Sequence, residues 1–210
     1  MSVLVIAEHD NQSLKGSTLN TISAATLLTG DITLFVAGSN LDNLINQCKT
    51  LDGISKIIKC DSDVYENVIA EDLSSLIFAN CEGYTHILAP STTFGKNLMP
   101  RLSAKLDTQQ ISDIISVESD NTFKRPIYAG SCIATVKSND SVRVITVRST
   151  AFDPVTMNNS DVAVDDINKS LTNINEYIPK ELAIKKVFGI SSISRQGIKE
   201  LFDEVFKELA

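Results

Sequence analysis

Tryptophan is absent from this 210-residue chain, and histidine occurs only twice, as His9 and His86. A metal centre would therefore have to lean on carboxylates, and no predicted helix pairs them at ligand spacing. Basic runs are missing as well: 19 Lys and Arg stand against 26 Asp and Glu, a net charge of -7. Phosphate backbones are held by clustered cations, so the composition speaks against a nucleic-acid surface. No apolar stretch approaches the roughly 20 residues that a membrane-spanning helix needs. The opening Met1-Ser2-Val3-Leu4-Val5-Ile6-Ala7 lacks the charged start and long apolar centre of a signal peptide and reads as a strand. A cytoplasmic protein is expected.

Close cysteine pairs are lacking too. Cys48, Cys60, Cys81 and Cys132 are too widely spaced for a zinc ribbon or a redox pair, and they read as reduced, mostly buried thiols. There is no G-x-G-x-x-G after the first strand, no G-x-S-x-G elbow, and neither a repeat nor a low-complexity tract.

What is present is an alternation of short β-branched runs and amphipathic stretches. Strands are predicted over residues 3–7, 32–38, 55–59 and 86–89, and helices over 17–28, 41–51 and 64–80. That order implies a parallel sheet with helices on both faces. After residue 107 the texture changes to strand-like pieces at 114–118, 123–129, 133–137 and 142–147, joined by turn residues. The fold class is thus α/β: a three-layer, mostly parallel sheet with an antiparallel extension, followed by a short α-rich carboxyl-terminal tail. A polar stretch beyond Pro154 divides a domain at 1–154 from a linker and tail at 155–210.

Three groups of residues are candidates for chemistry. The loop Glu8-His9-Asp10-Asn11-Gln12 follows a strand, where open α/β sheets place ligands. Its plainer reading is a solvated loop with Asn11 or Ser13 capping the next helix. Ser91, Thr92 and Thr93 stand at a helix start able to hold an anion, with Gly95-Lys96 behind them, but the phosphate-loop pattern fails. Capping is the default there, with Pro100 near the first turn. Asp113 and Glu118 lie close in sequence and read as surface acids. No catalytic, cofactor-binding or metal-ligating residue is assigned.

One stretch goes further. His86-Ile87-Leu88-Ala89-Pro90-Ser91-Thr92-Thr93-Phe94-Gly95-Lys96-Asn97-Leu98-Met99-Pro100-Arg101-Leu102-Ser103-Ala104-Lys105-Leu106, then Ile111-Ser112-Asp113-Ile114, resembles the alpha subunits of electron transfer flavoproteins. The opening Val3-Leu4-Val5-Ile6-Ala7-Glu8-His9, the segment Arg125-Pro126-Ile127-Tyr128-Ala129-Gly130 and Val147-Arg148-Ser149-Thr150-Ala151-Phe152-Asp153 match in the same order, over about residues 1–154. The resemblance implies a heterodimer with a beta subunit, carrying electrons on FAD from acyl-CoA dehydrogenases to a quinone oxidoreductase in fatty-acid oxidation. It implies an electron carrier without catalytic residues, whose amino-terminal domain is a scaffold. After Pro154 no match to the family's flavin segments occurs, so the flavin-binding domain is expected to be missing from this chain. The tail, residues 184–208, is instead similar to the last strand and helix of Obg-type GTPases, without their phosphate loop. The alternatives are a non-redox scaffold, a remnant of a rearranged gene, or a nucleotide-binding module of the same fold.

Overall fold

Runs such as Val3-Leu4-Val5-Ile6 carry apolar side chains on both faces, which suits a strand covered on two sides. The computed structural model, which describes residues 1–157 and 162–167, places them so. The first half alternates β1 (Ser2–Ile6), α1 (Gly16–Ala25), β2 (Asp31–Gly38), α2 (Asp42–Cys48), β3 (Lys56–Asp61), α3 (Ala70–Phe78), β4 (His86–Pro90) and α4 (Thr93–Lys105). Then come β5 (Gln110–Ile114), β6 (Ser116–Ser119), β7 (Thr122–Ile127), β8 (Cys132–Lys137), β9 (Arg143–Val147) and β10 (Ala163–Asp166). Seven strands form one sheet in the order β10-β3-β2-β1-β4-β9-β5, with every neighbouring pair parallel.

Successive side chains of β1 divide between two cores. Val3 and Val5 join Ile22 of α1 and Leu44 of α2 on one face, while Leu4 and Ile6 join Leu76 of α3 and Leu98 of α4 on the other. All of these are buried, and each contributes roughly 1.5–3 kcal/mol by leaving water. The fold class expected from sequence is the one observed.

Local details differ from the expectations. The antiparallel strands form a sheet of their own, β6-β7-β8, anchored to the main core by buried Phe123. The 142–147 piece instead enters the main sheet as β9, parallel to both β4 and β5. Residues beyond 154 also join the sheet: β10 pairs with β3, and Lys56 and Lys59 hold Asp165 and Asp166 at 2.5 and 2.9 Å. The helix expected over 64–80 is broken, with a single 3-10 turn at Asp63–Tyr65 and α3 starting only at Ala70. Asn11 explains the break, because its side-chain amide donates to the Glu66 carbonyl at 2.9 Å. Pro100 lies in the interior of α4 rather than near its first turn, and its ring, which removes one helical donor, sits at an exposed position.

Candidate functional site

Strands β1, β2 and β3 progress to one side, and β4 then returns to the other side of β1. That reversal makes a topological switch point, and in such sheets the crevice lies outside the carboxyl ends of the strands. Both loops singled out from sequence, after β1 and after β4, meet there.

Glu8 joins them. One of its carboxylate oxygens accepts hydrogen bonds from Ser17 Oγ of α1 at 2.7 Å and from Thr92 Oγ1, the residue preceding α4, at 2.9 Å. Neither helix has a side-chain cap at its amino end: Asn11 and Ser13, expected to cap α1, lie ahead of it, and Thr92, expected to cap α4, bonds Glu8 instead. The carboxylate places the protein's own negative charge beside two helix starts, where the dipoles favour an anion. Gly95 completes this corner, since a Cβ there would stand 1.9 Å from the Pro90 carbonyl oxygen. The first turn of α4 packs directly on the end of β4.

On the other side of the β1 loop lies a cleft of about 320 Å³. His9, read from sequence as solvated, forms part of its wall. Its Nδ1 accepts from the Asn11 backbone N–H at 3.0 Å, and the ring also bonds the Ala37 backbone. Burial pushes its pKa below the ordinary value, the Ala37 hydrogen bond and Asp10 only partly opposing this, so the ring is neutral at pH 7. Asn11 has a left-handed backbone, φ 68°, and ties three loops together: its Nδ2 donates to Glu66 O, and its Oδ1 accepts from Ser39 N at 3.4 Å. Gly38 leaves room for it, because a Cβ there would meet Asn11 Oδ1 at 2.2 Å. Asp10 accepts from Lys15 Nζ at 2.6 Å and from the Ser13 and Gln12 N–H groups, which holds its carboxyl well below the usual range. Tyr65 lines the cleft with 6% of its surface exposed, and burial pushes its phenol up to about 12, Cys60 and Asp72 adding to the effect.

Asp113 and Glu118 do not meet as a pair. Asp113, at φ 61° in an irregular stretch of β5, is held by Arg148 after β9, and this guanidinium keeps its carboxyl below the usual range. Glu118 pairs with Lys124 across the small sheet at 3.1 Å. Cys48, Cys60 and Cys81 are buried and Cys132 is exposed. Among the described residues no group of three or more His, Cys, Asp or Glu is placed to hold a metal ion, and no helix is long and apolar enough to cross a membrane. Sequence reasoning missed Tyr65, Asn67 and Phe94 as lining residues, since nothing local distinguishes them. It also missed Asp61, which accepts from the Asn40 and Leu41 N–H groups at the start of α2. An acid ending a strand was the signal available. Residues 184–208, with their GTPase-like motif, lie outside the described residues.

At the tip of the β7–β8 hairpin, Tyr128, Ala129 and Gly130 all have positive φ, at 50°, 53° and 92°. Two non-glycine residues in this conformation cost roughly 1–2 kcal/mol each. The turn presents Tyr128 and Ile133 to solvent, 79% and 62% exposed.

Comparison with known proteins matches residues 3–171 to the electron transfer flavoprotein domain. The electron transfer flavoprotein subunit alpha of Pseudomonas aeruginosa is 46% identical over 168 residues, 80% of this chain and 54% of its own length. The mitochondrial subunit alpha of Dictyostelium discoideum is 41% identical over 87% of this chain and 54% of its own. A probable mitochondrial subunit alpha of Cryptococcus neoformans is 37% identical across the whole chain, covering 65% of its own length. The chain thus spans between half and two thirds of the length of these relatives. The match runs through both switch-point loops and the hairpin, and the chain belongs to the electron transfer flavoprotein family.

Proposed function

We propose that this chain forms the amino-terminal scaffold of an electron transfer flavoprotein alpha subunit. It pairs with a beta subunit in a heterodimer that carries electrons from acyl-CoA dehydrogenases to a quinone oxidoreductase, and it performs no catalysis of its own. The observation that carries this reading is the family match over residues 3–171, shared with relatives named as alpha subunits. The exposed Tyr128 and Ile133 give the hairpin apolar surface for a partner to cover. A soluble compartment suits the scaffold, the cytoplasm on the sequence expectation; the Dictyostelium relative is named as mitochondrial.

FAD is the family's implied cofactor, and the described residues do not fit it. Its pyrophosphate needs a helix start or cations, whereas Glu8 stands at two of the helix starts and no Lys or Arg among the described residues lines the switch-point cleft. The flavin is therefore assigned to residues beyond residue 167 in the alpha subunit or to another chain, since residues 163–166 belong to the scaffold's own sheet. Co-expression with a beta subunit and absorbance spectroscopy of the product test the carrier role. Flavin bands in the purified complex are expected, and a colourless complex would leave a scaffold without redox function.

A further inference from the structure

His86 opens β4, the strand between β1 and β9, and none of its surface is exposed. Side chains alternate along the strand, so His86 shares a face with Leu88, which belongs to the same core as Phe123 of β7. The turn between β6 and β7 reaches over this face. Its Asp120 carbonyl lies 2.6 Å from His86 Nε2, and the Asp120 carboxylate accepts from the Thr29 backbone N–H at 2.7 Å. Asp120 thus ties the turn both to the ring and to the loop before β2. A carbonyl oxygen only accepts, so Nε2 carries a hydrogen. In the neutral ring Nδ1 is then the acceptor, and it takes the proton of Thr85 Oγ1 at 2.9 Å.

A second proton would go to Nδ1. Thr85 Oγ1 could accept it by turning its own hydrogen to the Ser2 carbonyl at 3.2 Å, so hydrogen bonding alone does not refuse the charge. Burial and neighbouring cations do. Arg143 stands beside His86 in the register of β9, and the amino group of Met1 approaches from β1, while Asp120 is the carboxylate facing the ring. Asp140 lies by Arg143, where it offsets that guanidinium. From the covered ring and the two bonds through Asp120, we propose that the β6–β7 turn is a lid worked by protonation of His86, lifting so that the imidazolium reaches water. Phe123, close behind the turn, stays buried and confines the movement to residues 119–121. The closed lid favours the neutral ring and the open lid restores an ordinary one, so opening grows as pH falls below about 6.5. Asp120 stays ionised through this window, because the Thr29 bond holds its carboxyl below the usual range.

NMR on the whole chain tests the lid through the His86 ring and the amide exchange of Thr29, corrected for the intrinsic rate. At about pH 8 the ring is expected to be neutral with its hydrogen on Nε2. Between about pH 7.5 and 5.5 the protection of Thr29 is expected to fall roughly threefold or more. It should remain at least about tenfold below the protection of Val5 in β1, since the lid opens without unfolding the sheet. His86→Gln, whose amide can still donate to Asp120 but takes up no proton, should abolish the pH dependence at Thr29. Protection of Thr29 that ignores pH, protection equal to that of Val5 throughout, a ring that charges while Thr29 stays protected, or a pH dependence that survives in His86→Gln would each overturn the proposal. The first three are read on the unaltered chain.

Discussion

At the scale of single residues, the carboxyl edge is held by side chains whose neighbours leave little freedom. Gly95→Ala forces a methyl group against the Pro90 carbonyl, a backbone atom that cannot step aside. The loss of stability is expected to be at least about 2 kcal/mol, measured by urea denaturation. Glu8→Gln keeps the shape and removes the charge between two helix starts, for an expected loss of about 1 kcal/mol. Both histidines have pKa values depressed chiefly by burial, and His86, fully buried, also bonds the Asp120 carbonyl through Nε2 at 2.6 Å. A depressed histidine takes up its proton more readily in the unfolded chain, so stability should hold above about pH 6.5 and decline as pH falls below it. Carboxylates such as Asp113, depressed by Arg148, add a separate loss only at lower pH, below the ordinary carboxyl value near 4. Urea midpoints from pH 8 to pH 5 check the histidine window, and a flat profile across pH 6.5 would contradict it.

At the scale of elements, periodicity revealed most of the parallel sheet, because strands such as β1 and β2 are buried on both faces and read as continuous apolar runs. What it could not show were breaks imposed from a distance. The helix expected over 64–80 has the apolar spacing it needs, but Asn11, 55 residues away, takes the Glu66 carbonyl and opens the chain there. Likewise Thr92 has the chemistry of a cap and is drawn to Glu8 instead. The strand at 163–166 reads as polar, Ala163-Val164-Asp165-Asp166, and finds its place through its ladder and ion pairs with β3, with Val164 half-buried against the core. These half-exposed pairs are worth only about 0.2–1 kcal/mol each. Raising salt from about 0.1 M to 1 M shortens the screening length from roughly 10 to 3 Å. Amide exchange should therefore accelerate in β10 and not in β1, and equal protection of β10 at both salt concentrations would show that the ion pairs do not hold it.

At the scale of the whole molecule, the family was legible in four ordered motifs, yet the reason each motif exists emerges only from the fold. The first and second motifs meet at Glu8 and Thr92, and the third forms the left-handed hairpin tip. The second and fourth join through Asp113 and Arg148. The cleft was not legible, since Tyr65 and Phe94 become neighbours of His9 only through tertiary packing. If the hairpin meets the beta subunit, Ile133→Asp should weaken the heterodimer by tenfold or more without changing the fold, because an exposed side chain that contributes roughly 1.5–3 kcal/mol on burial is replaced by a charge. Unchanged affinity in this variant would move the interface elsewhere on the surface.

The role of this chain as an alpha-type scaffold is tested most directly by light scattering coupled to size exclusion, on an equimolar mixture with an electron transfer flavoprotein beta subunit at micromolar concentration. A single species with the summed mass of one copy of each chain is predicted; two species eluting with their separate masses would contradict it.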